Sequence, residues 1–478
     1  MKRFLGKQLI LVLLLAVTVT AGAQRRQIHI VGANDMHAAI ENFPQLAAII
    51  DSLRTIDPAL LVLSAGDNRT GNPVNDMYIP SAYPMVALMN QVGFNVSAIG
   101  NHEFDMNSLE TLMGLSNFRY VCANLATDSI PLRRMRHSQQ FDVGGVRVGV
   151  IGAIELGSRG TPDAHPDYLK HYIFQPAKDV LGEYEELSRQ WDVTILLSHL
   201  GYEDDIQMAE QFPWIDLIVG GHSHTQLKAD EPLHNGVLIT QNANKLKQVT
   251  HITLTVDNGK VIDKKAEYID VRTFPKKNKV VENMVKSFND NPEFKRVVGY
   301  CETPFETHEE IACMVCDAYM EEGHGDVGIV NPGGLRVESL PAGDITLLDV
   351  LKMDPFYNQA VAIEMTGQEI YDMVWAYGRG SRYHFPYMRG IYTEMTLTMT
   401  NKNKIQKVRL LTHDGQPLKM KKKYRVVTNS YVSSTCKFLT PDRIMPLNEQ
   451  TADMVIRFLK RHGTVNYLGE RCQGVSED

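Results

Sequence analysis

The sequence predicts an α/β fold, and three patterns predict it. From Gln27 to Val219, apolar runs of strand length alternate with amphipathic segments of helical period. The runs are continuously apolar, as in Leu60 to Ser64 and Val193 to Leu197, which marks strands buried on both faces beneath helices. After Val237 the rhythm changes to strand pairs: Val249 to Val256 alternates, Asp257, Asn258 and Gly259 supply a hairpin turn, and Lys260 to Ile269 returns. The length, 478 residues, suits two or three domains.

Taken in order, Lys2 and Arg3 give a positive start, Leu9 to Val19 an apolar middle, and Ala21, Gly22 and Ala23 a small-residue cleavage site. Residues 1–23 therefore read as a signal peptide removed before Gln24, and the protein as exported, periplasmic or secreted. That apolar run is shorter than the ~20 residues of a spanning helix, and nothing later is long and apolar enough, so no membrane span is expected after its removal.

Gln27 to Val31 alternates as a strand, and Phe43 to Arg54 is a helix with Phe43, Leu46, Ala47, Ile50 and Leu53 on one face. Strand Leu60 to Ser64, helix Tyr83 to Gln91 and strand Asn95 to Ile99 follow. The alternation continues through strands at 120–124 and 146–154, a helix over 178–190, and strands at 193–197 and 215–219. A lysine-rich passage from Pro275 to Lys279 opens into a charged segment ending near Arg296. The expected division is a first domain at 24–273, a linker at 274–296 and a second, smaller mixed α/β domain at 297–478. The second half contains helices at 310–322, 368–377 and 451–461 and several strands.

Bulk composition excludes some classes. With 44% hydrophobic and 22% charged residues and a formal charge of −7, this is an ordinary globular chain with no basic excess for nucleic acid. Losing Lys2, Arg3 and Lys7 with the leader makes it more acidic, so a phosphate site needs locally concentrated cations. Six cysteines suit an oxidising compartment, although their pairing is not legible. Cys313 and Cys316 lie three apart on an amphipathic helix with no further ligands at metal spacing, and are expected to be buried thiols.

The chemistry lies at five strand exits, which present Asp35 and His37, Asp67, Asn101 and His102, His199, then His222 and His224. Side chains at strand C-termini clear the sheet, where α/β folds place their sites. Carboxylate, imidazole and amide oxygen together suit Zn²⁺, Mn²⁺ or Fe²⁺, whereas an all-oxygen set suits Mg²⁺ or Ca²⁺. The spacing of Asp35 and His37, and of His222 and His224, is expected to put each pair on one side of an extended backbone.

These motifs are Asp-x-His, Gly-Asp, Gly-Asn-His-Glu with a following Asp, a lone His, and Gly-His-x-His. In this order they resemble the calcineurin-like metallophosphoesterases, and among them the exported 5'-nucleotidases. The resemblance implies a four-layer α/β/β/α metallophosphatase domain with two divalent ions, joined to a C-terminal substrate domain. It implies one ion on Asp35, His37 and His224, a second on Asn101, His199 and His222, and Asp67 between them. His102, with Asp105 orienting it, is expected to stabilise the transition state or protonate the leaving group.

In the second half, Asn331, Pro332, Gly333, Gly334, Leu335 and Arg336 resemble the family's Asn-x-Gly-Gly-x-Arg, which implies that Arg336 reaches substrate. Pro355, Phe356, Tyr357 and Asn358 match its Pro-Phe-x-Asn, making Asn358 a further substrate candidate. The family's aromatic stretch followed by Gly-Gly-Asp is replaced here by Asn429, Ser430, Tyr431 and then residues 433–438, without glycine or acid. Phe385, Tyr387, Tyr431 and Phe438 are the candidates to stack on a base. The expected function is a two-metal phosphomonoesterase acting on nucleoside 5'-phosphates. Alternatives are a nucleotide-sugar, cyclic-nucleotide or sugar-phosphate hydrolase, or a non-catalytic binding protein.

Overall fold

The structure is a computed structural model that describes residues 25–127, 132, 134–157, 159–378, 381–398, 401–436 and 440–477. The expected signal peptide, residues 1–23, and Phe438 lie outside them.

The first half is built on two sheets. Strand Arg26–Ala33 runs parallel to Leu61–Ser64, Leu61–Ser64 to Val96–Ala98, and Val96–Ala98 to Arg119–Val121, in a seven-stranded sheet. On its other edge Arg26–Ala33 pairs antiparallel with Gln248–Asp257, and the hairpin partner Lys260–Asp270 completes that side. A five-stranded sheet contains Val146–Ile154, Val193–His199, Leu217–Val219 and Leu238–Thr240 in parallel.

The inner faces meet in one apolar layer, with Ile28, Ile30, Leu61 and Leu63 from the first sheet and Val148, Val150, Val193 and Ile195 from the second. Helices Phe43–Arg54 and Tyr83–Val92 cover the outside of the first sheet, and helix Tyr202–Gln211 the outside of the second. This is the four-layer α/β/β/α arrangement. Both faces of the central strands are buried, which is why they read as continuous apolar runs.

The second half holds a five-stranded sheet containing Val327–Val330, Gln359–Thr366 and Lys423–Asn429, with two three-stranded sheets beside it. Helix His308–Gly323 packs on it. Two expectations are corrected here. The segment 178–190 is three short pieces, Ala177–Val180, Leu181–Tyr184 and Glu185–Ser188, with the poor helix former Gly182 in the middle one. Cys313 is not a free thiol but is bonded to Cys472, 159 residues away, while Cys316 stays free and buried. The charged passage after residue 275 is tied to the first half: Asn278 donates to Pro44 O at 2.8 Å, and helix Lys279–Asn289 buries Val281 and Val285.

Candidate active site

Parallel strands in register end together, so their exits form one shelf. Asp35 and His37 follow Arg26–Ala33, Asp67 follows Leu61–Ser64, and Asn101 and His102 follow Val96–Ala98. His199 ends Val193–His199, and His222 and His224 follow Leu217–Val219. Three sets of side chains place ligand atoms within 4.8 Å of one another: Asp35, His37 and His224; His37, Asp67 and His102; and Asp35, Asp67 and His199. Asn101 Oδ1 lies 3.3 Å from His199 Nε2 and 3.2 Å from His222 Nδ1.

The backbone at these residues differs from the extended form expected of the two pairs. Asp35, His37, Asp67, His222 and His224 have φ of 46°, 44°, 51°, 74° and 55°, left-handed conformations that curl each loop inward. Close approach imposes a glycine at 100. A Cβ there would stand 2.6 Å from Asp67 N and 2.8 Å from His199 Nε2.

Three of the candidate ligands, His37, His199 and Asn101, are each aimed by a bond from the far end of the side chain. His37 Nδ1 donates to Thr70 O at 3.1 Å and His199 Nδ1 to Ala65 O at 2.7 Å, which turns both Nε2 atoms toward the cluster. Asn101 Nδ2 donates to Asp163 O at 3.1 Å, so the amide oxygen faces inward. Asp35 accepts from the His222 backbone N–H at 3.0 Å and from Asn34 Nδ2 at 2.7 Å. Burial alone would raise the Asp67 carboxyl, but the charges of His199 and His102 hold it well below the usual range. Burial and the His199 charge bring His222 down to about 4, so its imidazole is neutral near pH 7. Carboxylates, imidazoles and a fixed amide oxygen, with no thiol, form a donor set that fits divalent ions.

Family models agree. Residues 28–226 match the calcineurin-like phosphoesterase model and residues 293–438 the 5'-nucleotidase C-terminal domain model. The chain belongs to the calcineurin-like phosphoesterases with a 5'-nucleotidase C-terminal domain. It is a metal-dependent phosphoester hydrolase. It is 27% identical over 402 residues to a 5'-nucleotidase of Vibrio cholerae, covering 68% of this chain and 69% of that protein. Protein UshA of Escherichia coli is 26% identical over 380 residues, 66% of this chain and 68% of its own. The crystal structure of a 5'-nucleotidase precursor from Thermus thermophilus superposes with a TM-score of 0.82 at 22% identity, covering 94% of this chain and 99% of that one.

The family's C-terminal domain contributes to the same shelf. Arg336 Nη2 lies 3.0 Å from both ring nitrogens of His37, and its guanidinium carbon stands 5.7 Å from the centre of the Phe356 ring. Phe356 in turn stacks on His102, with centroids 5.7 Å apart and planes 25° from parallel. His102 Nδ1 is 2.7 Å from Asp105 Oδ2, and its Nε2 is 3.9 Å from Asp67 Oδ2. Lys245 of the first half donates its Nζ to Arg336 O, and its backbone N–H to Asp35 O at 2.8 Å.

The remaining substrate candidates separate. Phe385 is 1% exposed within the core of the second half, so its faces are already covered. Tyr387 is half-buried, with its hydroxyl 3.3 Å from His308 Nδ1. Tyr431 is half-buried on the short helix Ser430–Thr435, which Asn429 caps. Asn358 is buried and accepts from Ser430 Oγ at 3.2 Å, a bond that ties its turn to the start of the helix Ser430–Thr435.

Glu103, the acid of the Gly-Asn-His-Glu motif, is given no part by the resemblance and takes a structural one instead. Its carboxylate is fully buried and accepts backbone N–H groups from Asp67 at 2.9 Å, Asn68 at 2.8 Å and Gly100 at 2.7 Å, locking two ligand loops together. Its place three residues after Gly100 is the spacing of a side chain that reaches back to a helix start, the one signal available in the sequence.

Proposed function

We propose that the chain is an exported 5'-nucleotidase that releases phosphate from nucleoside 5'-monophosphates. The observation that carries this reading is the approach of Arg336 to His37, with Phe356 and His102 beside it. A phosphoryl group at the shelf meets a guanidinium on one side and an imidazole N–H on the other.

In this reading Asp35, His37 and His224 would hold one ion and Asn101, His199 and His222 a second, with Asp67 available to both. The imidazole-rich set favours zinc, manganese or iron. When bound, such ions supply positive charge to the phosphoryl oxygens and lower the pKa of the attacking water. Arg336 neutralises and orients the non-bridging oxygens through its planar fork. The water oxygen forms a bond to phosphorus as the bond to the ribose O5' breaks. His102 Nε2 gives its proton to that leaving oxygen, Asp105 steadies the resulting imidazole through Nδ1, and the proton lost by water goes to solvent. Phe356 covers His102 and limits bulk water there.

Tyr387 and Tyr431 remain the candidates to hold a base. The helix Ser430–Thr435 stands where the family has a glycine turn, and it favours keeping nucleotide sugars and cyclic nucleotides as a second reading. Export rests on the basic, apolar and small-residue pattern of residues 1–23, with support from the bond between Cys313 and Cys472. Among the described residues no helix is long and apolar enough to cross a membrane. We read the domain division as 24–273 and 297–478, with 274–296 between.

The mature protein, stripped with chelator and reloaded with Mn²⁺ or Zn²⁺, is expected to release phosphate from AMP only when reloaded. In a panel with a nucleotide sugar, a cyclic nucleotide and a sugar phosphate, AMP is expected to have the highest kcat/KM. Preference for another ester selects the second reading, and no hydrolysis of any ester by the reloaded protein rejects both.

A further inference from the structure

Arg69 is the largest wholly buried side chain among the described residues, and the chemistry above makes no use of it. Its Nη1 donates to the backbone oxygen of Asp105 at 2.8 Å. Its Nη2 lies 3.3 Å from Asp76 Oδ1, 3.3 Å from Ser81 Oγ and 3.5 Å from Met106 Sδ. Asp76 is itself fixed, accepting from Gly71 N at 3.0 Å, Asn72 N at 3.2 Å and Asn75 Nδ2 at 3.1 Å. The guanidinium is therefore a rigid post that ends on Asp105.

The segment Asn101–Asn107 is not regular where that post meets it. Asp105 takes φ −54° and ψ 140°, and Met106 turns left-handed at φ 54°. No helical repeat sets the direction of the Asp105 side chain, yet its Oδ2 must stay 2.7 Å from His102 Nδ1. A buried ion pair is also a poor route to stability, since apolar residues of similar volume serve the fold as well or better. Here one guanidinium nitrogen, Nε, is buried without a partner among the described residues, an added cost.

We propose that Arg69 is a positioning residue for the proton donor: it fixes the backbone of Asp105, and through Asp105 the orientation of His102. The inference rests on the reading of His102 as the acid that protonates the leaving oxygen. An alkoxide leaving group such as the ribose O5' needs that proton, whereas p-nitrophenolate leaves without it. Loss of Arg69 therefore acts on one ester class and spares the other, which general damage to the fold does not.

The test measures kcat and KM on AMP and on p-nitrophenyl phosphate, with metal content, for the metal-loaded full chain. Arg69→Met combined with Asp76→Asn avoids leaving a buried carboxylate unpaired. Arg69→Lys keeps the charge but loses the planar fork whose two separate nitrogens reach Asp105 O and Asp76. The double variant is expected to lose on the order of 100-fold in kcat on AMP and less than about threefold on p-nitrophenyl phosphate, with KM and metal content unchanged. Arg69→Lys should show the same pattern more weakly, and it decides the matter if the double variant does not fold. His102→Ala serves as the reference. If His102→Ala discriminates between the esters and the Arg69 variants do not, the positioning role is wrong. If His102→Ala loses both activities equally, the acid reading fails and this inference fails with it.

Discussion

At Glu103 one carboxylate receives three backbone N–H groups from two loops, and nothing in its own neighbourhood of sequence announces the partners 35 and 36 residues away. Glu103→Gln turns one acceptor into a donor facing an N–H. The mismatch is expected to cost ~1–3 kcal/mol and to loosen the grip on metal. Thermal denaturation should show a lower Tm, and elemental analysis less metal after dialysis; an unchanged Tm with full metal content would count against this role. The cluster residues themselves were legible because type and place coincided: acid, amide or imidazole directly after a buried strand. Backbone shape was not legible. The pairs at 35 and 37 and at 222 and 224 suggest an extended chain by spacing alone, yet tertiary contacts hold all four left-handed. Phe385 misled for a related reason, since an aromatic side chain suits a core and a binding face equally well.

Helices with a strong apolar period were readable nearly to their ends: Phe43–Arg54 matches residue for residue, and Thr451–His462 runs one residue further than its pattern. The segment 178–190 failed because Gly182 and an acidic surface left too short an apolar stripe to impose one helix. How elements join was hidden as well. Asp354 ends the helix Leu347–Met353 and accepts from Thr451 Oγ1 at the first residue of Thr451–His462. Burial pushes its carboxyl up to about 6 from the usual 3.8. Because the folded form binds this proton more tightly than the unfolded chain, stability is lost as pH rises from about 4 to about 6 and then levels off. Asp354→Asn is expected to recover roughly 3 kcal/mol at pH 7.5 and little at pH 4. Denaturant melts at the two pH values check this, and an equal effect at both would exclude the titration.

Across the whole molecule, the sequence displayed the strand exits of one half and the Arg336 motif of the other, but not their meeting. Lys245 spans the two halves, with its backbone on Asp35 O and its Nζ on Arg336 O. Lys245→Met is expected to raise KM for AMP by about 3–10-fold, the worth of one hydrogen bond, while kcat and metal content stay near wild type. A fall in kcat at constant KM would assign it differently. The left-handed backbone at five cluster residues carries a further consequence for the history of the chain. Glycine at those positions would relax the loops, so a lineage or an engineer selecting for heat resistance alone is drawn toward the catalytic shelf and away from activity. If the proposed chemistry is what keeps Asp35, His37, Asp67, His222 and His224 in place, a descendant freed from that demand is expected to drift to glycine at these five positions first.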